Sequence, residues 1–216
     1  MKFKIGKALL IASTLLAASS QASVAHFTMN GTEGDWITIG KTVDNVYSSA
    51  DPLLYWNTAR FDNIGTDAAP ATNYLRFIFL LDPQLSAEDQ LTTLDFSTRR
   101  LDTPLTAGVT YTDAQRAPFD LLGHPGLDVS YNHRGCNKLS GNFTVNELSF
   151  KSGAVDTFGV SFSQSCDGGP LMDGTFYYNA SLTALPTNNV PEPGSLALLG
   201  LGIAGIGIAR RRKQAH

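Results

Sequence analysis

Two cysteines, four histidines and an acid-rich middle are the residues in this chain with chemistry to offer. Cys136 can act in two ways. As a thiolate it is a nucleophile needing a base, and His133 or His124 can fill that role even at a distance in sequence. Paired with Cys166 it is a disulfide, closing a loop of about 30 residues worth roughly 3–4 kcal/mol by chain entropy. His124 and His133 lie either side of a glycine-containing stretch, with no third metal ligand in register. Glu147 and Asp128 supply the two carboxylates that glycoside hydrolysis uses. Arg116, between Asp113 and Asp120, has the make-up of a surface ion pair. The sequence has no Gly-x-Ser-x-Gly elbow, His-Glu-x-x-His, Cys-x-x-Cys or phosphate loop. Gly200-Leu201-Gly202-Ile203-Ala204-Gly205 spells a dinucleotide fingerprint, but a basic cluster follows it rather than a helix and an acidic residue, so that reading is rejected. Trp36, Tyr55, Trp56, Tyr131 and Tyr177 cannot all fit one inner face of alternating strands. They are the candidate platform for stacking on sugar rings.

The elements that must position these residues read as β-strands. Tyr74 to Leu81 is a strongly apolar run suited to a central strand. Phe143–Val145 and Leu148–Phe150 alternate with a one-residue slip, which predicts a bulge. Phe158–Phe162 and Phe176–Ala180 alternate cleanly, so one face is buried and one is wet. Trp36–Ile39, Leu54–Phe61, Thr93–Phe96 and Leu127–Tyr131 are shorter candidates. Asn30-Gly31, Lys151-Ser152-Gly153, Asp167-Gly168-Gly169 and Asp173-Gly174 read as turns between them, and Ser86–Asp89 as a capped helical turn. Short strands with regular turns and no helical period predict an all-β fold, a single antiparallel β-sandwich of jelly-roll type.

Both ends of the chain carry signals. Lys2, Lys4 and Lys7 precede an apolar run from Ala8 to Ala18 and then small residues, the form of a secretory signal peptide cleaved after Ala22 or Ala25. At the other end come Val190, Pro191, Glu192 and Pro193, then an apolar segment from Ser195 to Ala209, then Arg210, Arg211, Arg212 and Lys213. As a helix, the apolar segment is about 22 Å long at ~1.5 Å per residue, short against a ~30 Å bilayer core. The cations hold its far end in the cytoplasm and leave the rest of the chain outside. The two prolines keep the preceding chain extended, as a protease requires. This three-part tail resembles the PEP-CTERM signal of Gram-negative bacteria that make extracellular polysaccharide. The resemblance implies recognition by an exosortase, cleavage near Pro191-Glu192-Pro193 and transient insertion in the inner membrane. An exported chain with a single pair of cysteines is then most simply one with a Cys136–Cys166 disulfide.

A second resemblance lies inside the chain. Tyr111, Ala114, Arg116, Pro118 and Phe119, then Gly126 to Val129, Gly135-Cys136-Asn137, Gly141 to Glu147, Gln164 to Gly168 and Gly174 to Asn179 follow in the order of a module found in other secreted PEP-CTERM proteins of unassigned function.

Without the two signals, residues 26–189 carry nine Lys and Arg against 18 Asp and Glu. That balance disfavours nucleic acid and anionic membranes, and suits solubility and divalent cations such as calcium. No other cofactor is expected. The organisation predicted is a signal peptide over 1–25, a β-sandwich domain over 26–181, a linker over 182–189 and the sorting signal over 190–216. The expected function is non-catalytic: an exported surface or extracellular-matrix protein, exported by the Sec machinery, processed by an exosortase and associated with exopolysaccharide. A secreted carbohydrate-active enzyme, hydrolase or lyase, and a purely structural or protein-binding module are the alternatives.

Overall fold

The computed structural model describes residues 23–51, 54–81 and 91–180, with the side chains of 54, 55 and 81 outside that description. Of the predicted signal peptide only Ser23 to Ala25 fall within the described residues; residues 1–22, the Ser86–Asp89 turn, the linker and the sorting tail lie outside them. Ten strands are present: β1 Val24–Gly31, β2 Thr42–Ser48, β3 Leu54–Asn63, β4 Thr72–Leu81, β5 Thr92–Ser97, β6 Thr110–Arg116, β7 Gly126–Tyr131, β8 Leu139–Lys151, β9 Ala154–Cys166 and β10 Leu171–Tyr178. The only helical piece among the described residues is a 3-10 turn, Arg99–Leu101.

The all-β class agrees with the alternation in the sequence. The two-sheet sandwich is corrected. All ten strands hydrogen-bond into one sheet, in the order β2-β1-β10-β9-β8-β6-β7-β5-β4-β3. The sheet is mixed, because β6 and β7 run parallel through Gln115–Gly126 and Arg116–Leu127. It nevertheless buries one face by curling over itself. Tyr47 of the edge strand β2 stacks on Phe79 of β4 at 4.7 Å. Trp56 of β3, at the opposite edge, packs on Phe79 at 5.1 Å and on Tyr178 of β10 at 5.7 Å. Phe77 lies between Phe158 and Phe176, at 5.4 and 4.7 Å. One curled sheet thus achieves what two stacked sheets would, with an inner face of aromatic pairs in offset and edge-on contact.

Local expectations divide in an informative way. The slip in β8 is a real irregularity: its register with β9 shifts between Val145 and Glu147 and again between Ser149 and Phe150. Ser152-Gly153 and Asp167-Gly168 are turns whose residues have positive φ. Two glycine signals are not turns. Gly31 ends β1, and Gly174 lies within β10, where a side chain would strike the Phe162 ring and the Thr28 carbonyl. Its role is close packing. Trp36–Ile39 is not a strand either. It belongs to the connection from β1 to β2, because Asp35 captures the amides that a strand would have paired.

Candidate functional site

The Asp35 loop builds one wall of an open groove. The Asp35 carboxylate accepts from the amides of Ile37 at 2.9 Å, Thr38 at 3.1 Å and Gly40 at 2.9 Å, and from the Thr38 hydroxyl at 2.5 Å. Burial works against its charge, but the bonds from Thr38, Gly40 and Ile37 outweigh burial and hold its pKa below the usual carboxylate value. Thr32 ties the start of the loop to the Leu171 carbonyl through its amide and its hydroxyl. Ile39 takes φ 59°, a left-handed conformation costly for a β-branched residue, while remaining 55% exposed.

The other wall is the turn after β7. Asn132 and His133 have φ of 49° and 60°, and Tyr131 and Arg134 exchange both backbone hydrogen bonds, at 3.0 and 2.9 Å. Positive φ at both central residues makes this a two-residue turn of the I′ kind. Two residues beyond Arg134, Cys136 is bonded to Cys166, with Cα atoms 4.8 Å apart. Leu139 and Cys166 are register partners, so the staple sits where β8 begins and β9 ends. No thiol is left for nucleophilic attack, since both cysteines of the chain are used.

Between these walls lies a groove of about 410 Å³, lined by Ile37–Ile39, Lys41–Asn45, Tyr131, Asn132 and Arg134. Trp36 stands beside it, 56% exposed. Its indole N–H donates to the Gly135 carbonyl at 3.1 Å, and the Arg134 guanidinium lies over its ring at 4.6 Å. Arg134 also donates to the Trp36 carbonyl at 3.4 Å. Trp36 is therefore held in place although most of it is in water. The groove offers the hydroxyl of Thr42, amides from Asn45 and Asn132, the Asp44 carboxylate, and cations from Lys41 and Arg134. Asp44 itself bonds His26 at 2.7 Å.

The same turn borders a second depression, of about 350 Å³, through His133, Gly135 and Cys136, with Leu91, Arg116, Asp128, Ser130 and Asn137 around it. Asp128 pairs with Arg116 through one oxygen at 3.3 Å, and its other oxygen is buried without a partner. Burial, reinforced by Asp95 directly opposite on β5, pushes its pKa up to about 6 against the pull of Arg116. Asp95 is held by two guanidinium nitrogens of Arg76, Nε at 2.6 Å and Nη2 at 2.9 Å.

Most residues singled out in the sequence are not brought together. Trp56 and Tyr131 pack against the core, and Tyr177 lies on the sheet beside Gly159. The Tyr55 side chain is outside the described residues, and of the other four Trp36 alone stands largely exposed. Arg116 meets Asp128 rather than Asp113, which pairs with His124 at 3.0 Å, and Asp120 turns inward. Glu147 of β8 pairs with Gly159 of β9, whereas Asp128 lies beyond the β8 level of Ser140. More than seven residues of strand separate those levels, over ~23 Å at ~3.3 Å each, well beyond the spacing of a glycosidase pair. No three His, Cys, Asp or Glu among the described residues are grouped to hold a metal. Sequence reasoning missed Lys41, Asp44 and Arg134. The available signals were the Asp35-x-x-Thr38-x-Gly40 spacing and the polar pair Asn132-His133 at the end of a strand.

The PEP-CTERM protein-sorting motif matches residues 189–213. That motif implies export, a membrane-anchored precursor and processing by an exosortase. No curated protein matches the chain. Among solved structures, the ywiB protein from Bacillus subtilis is similar at 6% identity and a TM-score of 0.23, over 75% of this chain and 93% of that one.

Proposed function

We propose that the β-domain is a non-catalytic binding module for the extracellular matrix, released to the cell surface or medium by exosortase processing, and that it holds exopolysaccharide in the groove between the Asp35 loop and the Asn132-His133 turn. The observation that carries this reading is Trp36, exposed yet fixed by Arg134 and Gly135 at the side of an open polar groove. A fixed aromatic face loses little entropy on stacking, and a hydroxyl, amides and charges beside it suit the hydroxyl groups of a sugar. The sorting motif supports it by implying export of the chain.

The test uses the exported protein and the producer's own exopolysaccharide, with and without calcium. Wild-type protein is retained on the polymer. Trp36→Ala and Arg134→Ala each weaken retention about tenfold or more, the scale of one lost stacking or charge-assisted contact. Polymer length, followed by size-exclusion chromatography, stays constant. Retention unchanged in Trp36→Ala rejects the groove. A time-dependent fall in polymer size, abolished by Glu147→Gln or Asp128→Asn, rejects the non-catalytic reading in favour of an enzyme.

A further inference from the structure

The loop joining β6 to β7 has its polarity inverted. Phe119 is 69% exposed, Leu121 64% and Leu122 80%, while the one carboxylate among them, Asp120, is 2% exposed. Both Asp120 oxygens are buried without a hydrogen-bond partner. An ordinary surface loop puts its acid in water and its leucines inside. The arrangement is also held firmly. The Leu121 amide donates to the Gln115 side chain at 3.0 Å, the Gly123 amide to the Arg100 carbonyl at 3.0 Å, and the Phe119 amide to the Arg116 carbonyl at 2.8 Å. Arg100 donates from Nε to the Asp120 carbonyl at 3.2 Å, which binds the loop to the 3-10 turn after β5.

We propose that this loop is a bilayer-contacting tip: Phe119, Leu121 and Leu122 enter the headgroup region of an anionic membrane, with Arg100 and Arg116 at the phosphate level. Four observations select that occupant. Side chains this exposed at neighbouring positions form a protrusion, since a flat patch would cover them mutually, and a protrusion suits a soft interface. Three cations border it: Arg100 is exposed, the Arg116 guanidinium lies over the Phe119 ring at 5.1 Å while pairing with Asp128, and Arg99, paired with Asp62 at 3.0 Å, acts on Asp120 through space. These are three of the nine cations between residues 26 and 189. Of the acids nearby, Asp120 is turned inward and the exposed Asp113 is paired with His124 of the same loop. Finally, the sorting motif implies a membrane-anchored precursor, and residues 181–194, between the described domain and the apolar segment, reach up to ~45 Å when extended. The net acidity of the domain does not oppose contact at this tip. Charges more than about 8 Å away are largely screened at physiological ionic strength, so the local arginines decide.

The experiment keeps the chain whole, reconstituted by its own C-terminal segment in vesicles of phosphatidylethanolamine and phosphatidylglycerol. Cys136 and Cys166 are bonded, so Leu122→Cys offers a single thiol for an environment-sensitive fluorophore, and Lys151→Cys, before the β8–β9 turn, is the control. Brominated lipid should quench the label at 122 about twofold or more and leave the label at 151 unchanged. Leu121→Asp should abolish that quenching without changing the melting temperature, since that side chain is exposed, and Arg100→Glu should abolish it while also losing the bond to the Asp120 carbonyl. Equal signals at the two positions overturn the proposal, as does quenching that survives both substitutions. Energy transfer between labelled copies in lipid-free detergent also overturns it, in favour of a second copy of the chain as the occupant.

Discussion

Asp128→Asn should make the protein more stable at neutral pH, although it removes one half of an ion pair. The carboxylate is 16% exposed, one of its oxygens has no partner, and Asp95 faces it across the β5–β7 ladder. Its folded pKa is about 6, against an ordinary value of 3.8. The folded protein therefore holds a proton that the unfolded chain releases first. Stability from this group is greatest below pH ~4, declines as pH rises to about 6, and is lower by ~3 kcal/mol above pH 7. Asparagine keeps the shape and never ionises. Its cost is the contact with Arg116, a guanidinium 35% exposed at 3.3 Å, worth ~0.5–1 kcal/mol.

The expected net gain is ~2 kcal/mol at pH 7.5, with a small loss at pH 4. Urea denaturation of the exported protein measures it, with fluorescence of Trp56, packed between Phe79 and Tyr178, as the signal. At an m value of ~2 kcal/mol/M the midpoint should rise by about 1 M at pH 7.5. Asp95 is also raised by burial, but it is bonded to Arg76 in both proteins and largely cancels in the comparison. A variant that is less stable at pH 7.5, or a difference that does not vary with pH, refutes the reasoning. The first result would mean that Arg116 contributes more than its exposure allows. The second would mean that Asp128 is not desolvated.

Replacing Cys136 and Cys166 together by serine should cost ~3–4 kcal/mol and lower the melting temperature by roughly 10 °C, from the loop that the bond closes. Calorimetry of the two proteins reads this directly, and a loss under ~1 kcal/mol would mean the reduced chain is already constrained. Intact-mass analysis of the exported protein reads both processed ends. The amino terminus should be Ser23, because cleavage after Ala25 would delete Val24 and the fully buried Ala25 from β1, with their pairings to Ser48, Tyr47 and Tyr178. A mature chain starting at His26 contradicts the sheet. The carboxyl terminus should fall near Pro191-Glu192-Pro193, and a surface form that still carries Arg210 to His216 speaks for a plain anchor instead.

Periodicity made legible which faces of the strands are buried, because alternation is a local property: inward-facing side chains recur at every second residue, as Leu75, Phe77 and Phe79 in β4, Phe158, Val160 and Phe162 in β9, and Phe176 and Tyr178 in β10. It could not reveal that the strands form one sheet. Alternation is the same whether the buried face meets a second sheet or the far end of its own, and only Tyr47 and Trp56 converging on Phe79 decides between them. The groove was hidden for a different reason. Trp36-Ile37-Thr38-Ile39 has strand composition, and the competing claim of the Asp35 carboxylate on the following amides outweighs that propensity. Side-chain capture of backbone groups depends on geometry that a hydrophobicity pattern does not encode. The loop after β6 illustrates the same limit from the other side. Pro118-Phe119-Asp120-Leu121-Leu122 in sequence looks like two core leucines beside one solvent acid, the assignment that burial statistics favour. The observed reversal leaves two carboxylate oxygens unpaired in the interior and three apolar side chains in water, both unfavourable for an isolated domain. Hydrogen bonds from the loop amides to Gln115 and Arg116, and from Arg100 to the Asp120 carbonyl, hold that costly arrangement in place. A fold keeps such a conflict between local composition and local environment where something outside the domain resolves it. That makes this loop, rather than the better satisfied surface around it, the place to look for a partner.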